Sequence, residues 1–565
     1  MVSSRYLLTR AFTFLLLFLS ITNGTGQPIL LDGLSTDWSG GDLFYDDKGD
    51  FQSLDIESLT ITYDDVYVYF KIDLNQEILL QQDNNIKLGL DIDNNPNSGK
   101  SFGNIGADLT FNFGSKSGIL YLSQGIFIIG HNDIGLIAAP TVSSSSFEIG
   151  IRRKFTASGI QIEMSDQIAI HLFGNNEGGD QIPDSGQLML SMSSNRPIFI
   201  PKYYLPKKPE ADFRFMSYNA LRDNIFENNV AQAFEALMRA VAADIYCFQE
   251  VYMHNDRQLV GLLEDRGAID RTETWYSAKH GPDIITISRY PIIFERAIGN
   301  NGVVVVDIEG KELMIINTHL PCCENDMGRE QEIDLILEFI RKSKTNETGY
   351  FLQEDTPYLI CGDMNLVGWA SQLNSLITGD IKNNTFYGPD VQMDWDENGM
   401  ADVRPFSTGF NGAFTWYDPS SSFYPGRLDL ILYTDAILNV LNAYVLNSAG
   451  LNQSEQVDFQ INDNYSVTTS DHMPVVSDFK FRIPSAIEEF EKSVVMYPNP
   501  VSGQLCVDIP DSKIKSLTIY DVQGRKMKDV LYPPNCFPLD IQSGIYILLV
   551  TNEAGHLIQQ KIVVE

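Results

Sequence analysis

The chain is poor in cysteine. Six in 565 residues are too few for the disulfide scaffold of a small exported domain. The first of them is Cys247, so no lipid anchor on a processed N-terminal cysteine is expected. No Cys/His spacing resembles a zinc site. Basic residues are also scarce: 40 Lys+Arg stand against 74 Asp+Glu, for a formal net charge of −34. Such an excess argues against the usual nucleic-acid surface, which displaces counterions from phosphates with Lys and Arg. Long apolar runs are missing as well, so stable membrane insertion of the mature chain is not expected. What the chain does have is 44% hydrophobic and 20% charged residues. That excludes wholesale disorder, and the length predicts several domains.

Arg5 and Arg10 precede an eleven-residue apolar run, Ala11 to Ile21, followed by the small and polar stretch Thr22 to Gln27. This order predicts a secretory signal peptide over 1–26. A transmembrane anchor is the alternative, but the run falls short of the roughly 20 residues that a spanning helix needs. Two Pro-rich seams divide the rest. The first, 201–209, reads as a stiff linker between a domain at 28–200 and another at 210–482. The second, short and acidic, precedes a domain at 492–565. The middle part, counted over 206–482, holds 21 basic and 41 acidic residues, a net −20.

The 28–200 segment is β-rich. Runs such as Ser58–Phe70 and Ala107–Phe113 alternate apolar and polar residues between Asn, Asp, Gly and Ser clusters, which is the pattern of a β-sandwich. Leu30 to Gly33 with Asp37 and Trp38, and Leu90–Gly99 with Gly106 to Asp108, resemble secreted carbohydrate-binding-like sandwiches of the family 9 type. The resemblance implies a glycan as partner. Asp91, Asp93 and Asn95 could offer oxygens to Ca²⁺, but Pro96 and Phe102 stand where an EF-hand loop needs Gly and Glu. An Asx-rich turn is the preferred reading, and Trp38 is expected in the core rather than on a sugar platform.

In the middle segment, apolar strand-like runs repeatedly end on a polar residue. Arg214–Asn219 ends on an amide, Ile245–Glu250 on a carboxylate, and Leu313–Thr318 delivers His319. Tyr358–Cys361 delivers Gly362, Asp363, Met364 and Asn365, Asp429 opens Leu430–Tyr433, and Asp471 and His472 precede Val475. Any one of these is an ordinary loop residue. Six in one domain predict side chains gathered on one edge of a layered α/β fold. His254 and His280 fall outside this pattern and read as surface histidines, and Cys247 and Cys361 as buried thiols.

The ordered motifs SYN, QE, THL, GDMN, RLD and SDHMP, with ISRYP at 287–291 and Thr415-Trp416, resemble the endonuclease/exonuclease/phosphatase superfamily. The resemblance implies a four-layer α/β sandwich, like that of deoxyribonuclease, and metal-assisted hydrolysis of a phosphate ester. Carried over by position, Asn219 and Glu250 would hold Mg²⁺, or Mn²⁺ in its place, and Asp471 would complete the metal or histidine shell. Asp363 would deprotonate or orient the attacking water, and Asn365 would contact the phosphate. His472, oriented by Asp429, and His319 would share the acid and base roles, and Arg222 is either a phosphate contact or a surface arginine. Nucleic acid, phospholipid and small phosphate esters all remain open as substrates, with Phe423, Tyr424 and Trp369 as candidate rim residues. The alternative is a non-catalytic surface or glycan-binding protein that keeps the scaffold.

The last segment carries Met496–Pro500, Leu517–Arg525 and Ser543–Val550 and ends in Lys561–Glu565. By pattern alone it is a small β-sandwich. It resembles the C-terminal sorting domain of type IX secretion, which implies that secretion machinery as partner. The implied location is the surface or medium of a Gram-negative, Bacteroidetes-type bacterium, after signal-peptide removal. Cys506 and Cys536 are expected either to pair or to stay free.

Overall fold

Alternating side chains between Leu43 and Ser191 pair into two antiparallel sheets. One orders Leu43–Asp46, Ile56–Tyr63, Tyr67–Ile78, Ser144–Arg152 and Ile137–Ala139. The other is built around Lys87–Asp91, Leu109–Asn112, Ser117–Leu122 and Gln167–Phe173. Their inward residues, among them Ile61, Phe70, Leu90, Phe111 and Ile170, form one apolar core. Trp38 is buried and donates its Nε1–H to Glu148 Oε1 at 3.0 Å. It is therefore a core residue with a satisfied polar end, as expected. The computed structural model describes residues 28–46, 48–175, 179–482, 495–508, 514–521, 524–552 and 557–565. The expected signal peptide at 1–26 and the acidic seam after 483 lie outside the described residues.

The Pro-rich stretch 201–209 packs against the middle domain. Leu205 is buried in that domain's core, Tyr203 donates to Glu455 Oε2 at 2.9 Å, and the Asn442 amide bonds both backbone groups of Tyr204.

The middle domain holds two six-stranded mixed sheets. Its strands are β1 (Phe213–Asn219), β2 (Ile245–Gln249), β3 (Tyr276–His280), β4 (Ile284–Ser288), β5 (Ile292–Ile298) and β6 (Asn301–Ile308). They continue with β7 (Lys311–His319), β8 (Tyr358–Asp363), β9 (Ala401–Asp402), β10 (Asp429–Tyr433), β11 (Leu438–Val445) and β12 (Val475–Phe481). The first sheet runs β3-β4-β2-β1-β12-β11 and the second β5-β6-β7-β8-β10-β9. In each, one central pair is parallel, β1 with β2 and β7 with β8, so both pairs end on the same edge. The two sheets contact each other face to face through β1, β2 and β4 against β6, β7 and β8.

Helices cover the outer faces. In α1 (Ala231–Val241), Phe234, Leu237, Met238 and Val241 recur at helical spacing and are buried against the first sheet. α2 (Asp256–Asp265) starts from an Asn255–Gln258 capping box. α3 (Asp326–Lys344) and α4 (Ala370–Thr378) cover the second sheet through Ile333, Leu337, Ile340 and Leu376. The result is helix, sheet, sheet, helix, the four-layer arrangement that the motifs implied.

The C-terminal unit has a three-stranded and a four-stranded sheet around Leu505, Val507, Leu517, Leu548 and Ile562. Its Cys506 and Cys536 face each other across two strands and form a disulfide. Cys247 and Cys361 are buried free thiols.

A fully buried guanidinium–carboxylate pair ties the middle domain together. Arg214 Nε and Nη2 reach the two Asp478 oxygens at 2.6 and 2.9 Å, and both side chains are essentially inaccessible. Its Nη1 donates to Leu205 and Val241 carbonyls, so this guanidinium joins β1, β12, α1 and the Pro-rich strap. Removing one partner strands a buried charge, which costs about 3–5 kcal/mol. Arg214→Met should lower the free energy of urea unfolding by that amount, and Arg214→Met with Asp478→Leu should recover part of it. A single variant as stable as wild type would refute this role.

Candidate active site

Strand register sets up the site. Asn219 ends β1 opposite Gln249 of β2, and Glu250 follows at φ 60°, a left-handed bend that turns its carboxylate away from the strand path. In the second sheet His319, the last residue of β7, lies opposite Asp363, the last of β8, and Asp363 lies opposite Asp429, the first of β10. His472 stands just before β12 of the first sheet. Gly362 makes the approach of β7 and β8 feasible: at φ +129° its Cβ would fall 1.9 Å from the Thr318 carbonyl oxygen.

The six predicted strand ends thus meet in one cleft. Asn219 Nδ2 donates to Asp363 Oδ2 at 2.9 Å and to Glu250 Oε1 at 3.1 Å. Asp363 Oδ2 also faces Nε2 of both histidines, at 3.7 Å from His319 and 3.5 Å from His472. Each imidazole is held from behind by a buried carboxylate on the opposite sheet. His319 Nδ1 lies 2.6 Å from Asp283 Oδ2, and His472 Nδ1 lies 2.8 Å from Asp429 Oδ2. Asp429 in turn accepts from Thr415 Oγ1 at 2.7 Å.

Electrostatics follow from this crowding. Burial pulls the His472 imidazolium down, but the Asp429 and Asp363 charges, the Asp429 hydrogen bond and Asp471 outweigh it, pushing it up to about 10. His319 is pulled down by burial and raised further by its Asp283 bond and by Asp363, Asp283 and Glu250, for a net upward shift. The His472 Nε2–H is therefore a proton donor aimed at the cleft, and His319 is shifted in the same direction.

Asn365 is held close by: its N–H meets Asp363 Oδ1 at 3.1 Å and its Nδ2 the Leu320 carbonyl at 3.0 Å. Arg222 lines the cleft and is exposed, while its backbone N–H donates to Glu250 Oε2 at 3.0 Å. Asp471 lines the cleft but bonds Trp416 Nε1 at 2.9 Å through Oδ2, leaving Oδ1 buried without a partner. Of the candidate rim residues, Phe423 and Tyr424 line the cleft and Trp369 does not.

Two features escaped the sequence reading. Asp283 sits in a Gly-Pro-Asp turn ahead of β4, where a turn residue looks the same as a catalytic partner. His280, expected at the surface, is buried at the end of β3, because Gly302 of the facing strand leaves room for its ring: a Cβ there would lie 2.8 Å from Nδ1. His254 bonds Asp223 at 2.8 Å and stacks on Phe226.

The donor set suits a hard divalent cation. One donor atom each of Glu250, His319 and Asp363 lies within 4.8 Å of the others. No Lys or Arg side chain pairs with Glu250 or Asp363 among the described residues. The Glu250 and Asp363 carboxylates offer the hard oxygen donors such an ion takes, while the Asn219 amide turns its Nδ2 to both of them and its Oδ1 accepts the Leu221 N–H at 3.0 Å. A second grouping, Asp363, Asp429 and His472, overlaps the first. In the N-terminal domain Asp91 and Asp93 gather with Asp108, while Asn95 closes an Asx turn with its amide N–H on Asp91 and Asp93.

Residues 216–472 match the model of the endonuclease/exonuclease/phosphatase family, and residues 495–565 match that of the secretion system C-terminal sorting domain. No curated protein matches the chain. Among solved structures, an endonuclease/exonuclease/phosphatase family protein from Leptotrichia buccalis is 18% identical, covering 48% of this chain and 99% of its own, at a TM-score of 0.31. ANGEL2, a 2',3'-cyclic phosphatase in complex with adenosine-2',3'-vanadate, is 16% identical over 50% of this chain and all of its own, at 0.30. D. rerio TDP2 with a single-stranded DNA product is 16% identical over 47% of this chain and 98% of its own, also at 0.30.

The raised His472 links the site to stability. A histidine whose folded value lies above its unfolded value of about 6.5 stabilises the fold fully below that pH, and the contribution fades as pH rises through the folded value. In chelator-treated protein, the difference in unfolding midpoint between wild type and His472→Gln should therefore shrink from pH 6 to pH 10. A difference that stays constant or grows would show that His472 is not held as an imidazolium.

Proposed function

We propose, from the premise that residues 216–472 are a domain of the endonuclease/exonuclease/phosphatase family and residues 495–565 a secretion sorting domain, that the chain is an exported phosphoesterase with its active centre at Asp363, His319 and His472. The observation that carries this reading is the arrangement of two carboxylate-backed imidazoles around one buried carboxylate. Such a set holds a base and two proton donors within a few ångströms, which is what in-line attack of water on a phosphate ester requires.

In this mechanism Asp363 accepts the proton of the attacking water. One imidazolium donates to a phosphoryl oxygen as charge builds there, and the other protonates the leaving oxygen. Asp283 and Asp429 fix the orientations of the two rings and stabilise their protonated forms. Asn219 and Asn365 hold the Asp363 carboxylate and the neighbouring backbone in place. Glu250, with Asn219, would hold a Mg²⁺ or Mn²⁺ ion, which when bound would neutralise phosphate charge and polarise the ester, leaving Asp363 as the base. Asp471 contributes negative charge beside His472, and Arg222 is placed to meet the substrate phosphate from the rim. The sorting domain indicates delivery to the surface or exterior of a Bacteroidetes-type cell. No helix among the described residues is long and apolar enough to cross a membrane.

A non-catalytic protein that kept only the scaffold would not need both imidazoles turned onto Asp363. The test is a panel of phosphate esters with the full chain, including bis-p-nitrophenyl phosphate, plasmid DNA, RNA, sphingomyelin and inositol phosphates, with and without Mg²⁺. Asp363→Asn and His472→Ala should each lower kcat by about 10²–10⁴-fold, and Glu250→Gln should raise the Mg²⁺ concentration for half-maximal rate. Folded, metal-supplied protein inactive on every substrate would remove the enzyme reading. Full activity in Asp363→Asn would remove the site assignment instead.

A further inference from the structure

The active cleft is not walled by the middle domain alone. It encloses about 760 Å³, and one side is formed by Leu79, Leu80, Gln81, Gln82, Pro140 and Thr141 of the N-terminal two-sheet domain. They share this lining with Glu250, His319, Asp363 and His472.

The junction is built rather than incidental. Leu31 pairs through its backbone with the 411–413 segment, its N–H on the Asn411 carbonyl at 2.8 Å and its carbonyl taking the Ala413 N–H at 3.0 Å. Tyr424, from the long loop between β9 and β10, is buried within the N-terminal core itself. Its hydroxyl donates to the Phe113 carbonyl and its N–H to Gln81 Oε1, both at 2.8 Å. The Arg427 N–H meets Thr141 Oγ1 at 2.9 Å. The same loop carries Thr415 and Trp416, whose side chains hold Asp429 and Asp471. One part of the loop thus orients the active centre, and another is a plug in the neighbouring core.

The chemistry of the wall is neutral and largely apolar. Phe423 is exposed on the cleft side with the Lys116 ammonium 4.4 Å from its ring centre, and Tyr252 and Leu320 extend the apolar lining. Among the described residues, Arg222 is the one Lys or Arg side chain that lines the cleft. A nucleic-acid strand brings a phosphate with every nucleotide and calls for a track of cations. Beyond the two active-centre histidines, this cleft offers one cationic side chain in a domain of net charge −20, from 21 basic and 41 acidic residues. Its volume is that of a small-molecule pocket.

We propose that the N-terminal domain is a specificity wall of the active site, selecting phosphate esters of small-molecule size with an apolar group next to the phosphate. The proposal rests on the phosphoesterase reading for turnover, but the wall itself is readable by binding. Two p-nitrophenyl phosphodiesters sharing a leaving group, one with a methyl and one with a hexyl second ester, are compared on the full chain with Mg²⁺. Methylphosphonate and hexylphosphonate binding is measured alongside by calorimetry.

Wild type should prefer the hexyl ester by about 10-fold in kcat/KM, as expected for extra apolar contact, and bind hexylphosphonate more tightly by a similar factor. Leu79→Asp and Phe423→Ala should each cut both preferences to about 2-fold. Loss of folded protein lowers both esters alike, so the ratio stays readable. Unchanged ratios in both variants, no hexyl preference in wild type, or plasmid DNA turned over faster than either diester would overturn the wall and leave the phosphoesterase standing. No turnover, with hexylphosphonate binding that the variants weaken, would do the reverse.

Discussion

Two His–Asp pairs that cross between sheets are the constraint on which the rest of the site depends. His319 ends a strand of the second sheet and is held by Asp283, which precedes a strand of the first. His472 precedes a strand of the first sheet and is held by Asp429, which opens a strand of the second. Each imidazole therefore reports the relative placement of the sheets, and any sliding of one past the other would break both bonds. Beneath them, Gln249 Nε2 donates to Asn317 Oδ1 at 2.7 Å across the same interface. Polar links in a packed apolar interface are costly unless satisfied. Their presence here gives two sheets that could pack in several registers a single preferred one, with Asp363 fixed between the two rings.

The fold follows from that constraint in an orderly way. Parallel pairing of β1 with β2 and of β7 with β8 sends four polar termini to one edge. Register then decides which of them meet: a shift of one residue along β8 would take Asp363 out of line with both His319 and Asp429. Gly362 is where the chain yields to this demand, since only a residue without Cβ allows its backbone to lie so near Thr318. Behind the site, Arg329 of α3 bonds the Pro321 and Cys323 carbonyls at 2.9 and 2.8 Å and holds the segment that follows His319.

Much of this was legible in the residues because apolar strands that end on amides, carboxylates and imidazoles are a local signal. Asn219, Glu250, His319 and Asp363 each close such a run, and Asp429 and His472 each open one. Asp283 was not legible, because a Gly-Pro-Asp turn before a strand has the same composition whether its carboxylate faces water or a histidine. His280 was misplaced because polar neighbours in Tyr276–His280 suggest an exposed strand, and the cause of its burial, Gly302, belongs to a different strand and to the other sheet. Tyr424 lies in a Ser-, Pro- and Gly-rich stretch with every mark of a solvent loop. Its partner is a core hundreds of residues away in sequence, and no local pattern encodes that.

The place of Tyr424 changes how the N-terminal domain is understood. A carbohydrate-binding-like module tethered by a stiff linker would leave the enzyme's rim alone and act through proximity. Here the 201–209 strap is packed down, Leu31 extends a backbone pairing into the middle domain, and a tyrosine of the active-site loop completes the N-terminal core. Trp38, the one tryptophan of that domain, is spent in its interior. The acidic surface then ceases to be at odds with phosphate chemistry. Under the proposed function, a cation at Glu250, the protonated histidines and Arg222 would supply positive charge at a single point, which would suit one phosphate per substrate. A field of −20 around that point disfavours a polymer of phosphates, and the proposed wall would receive the non-phosphate part of the substrate.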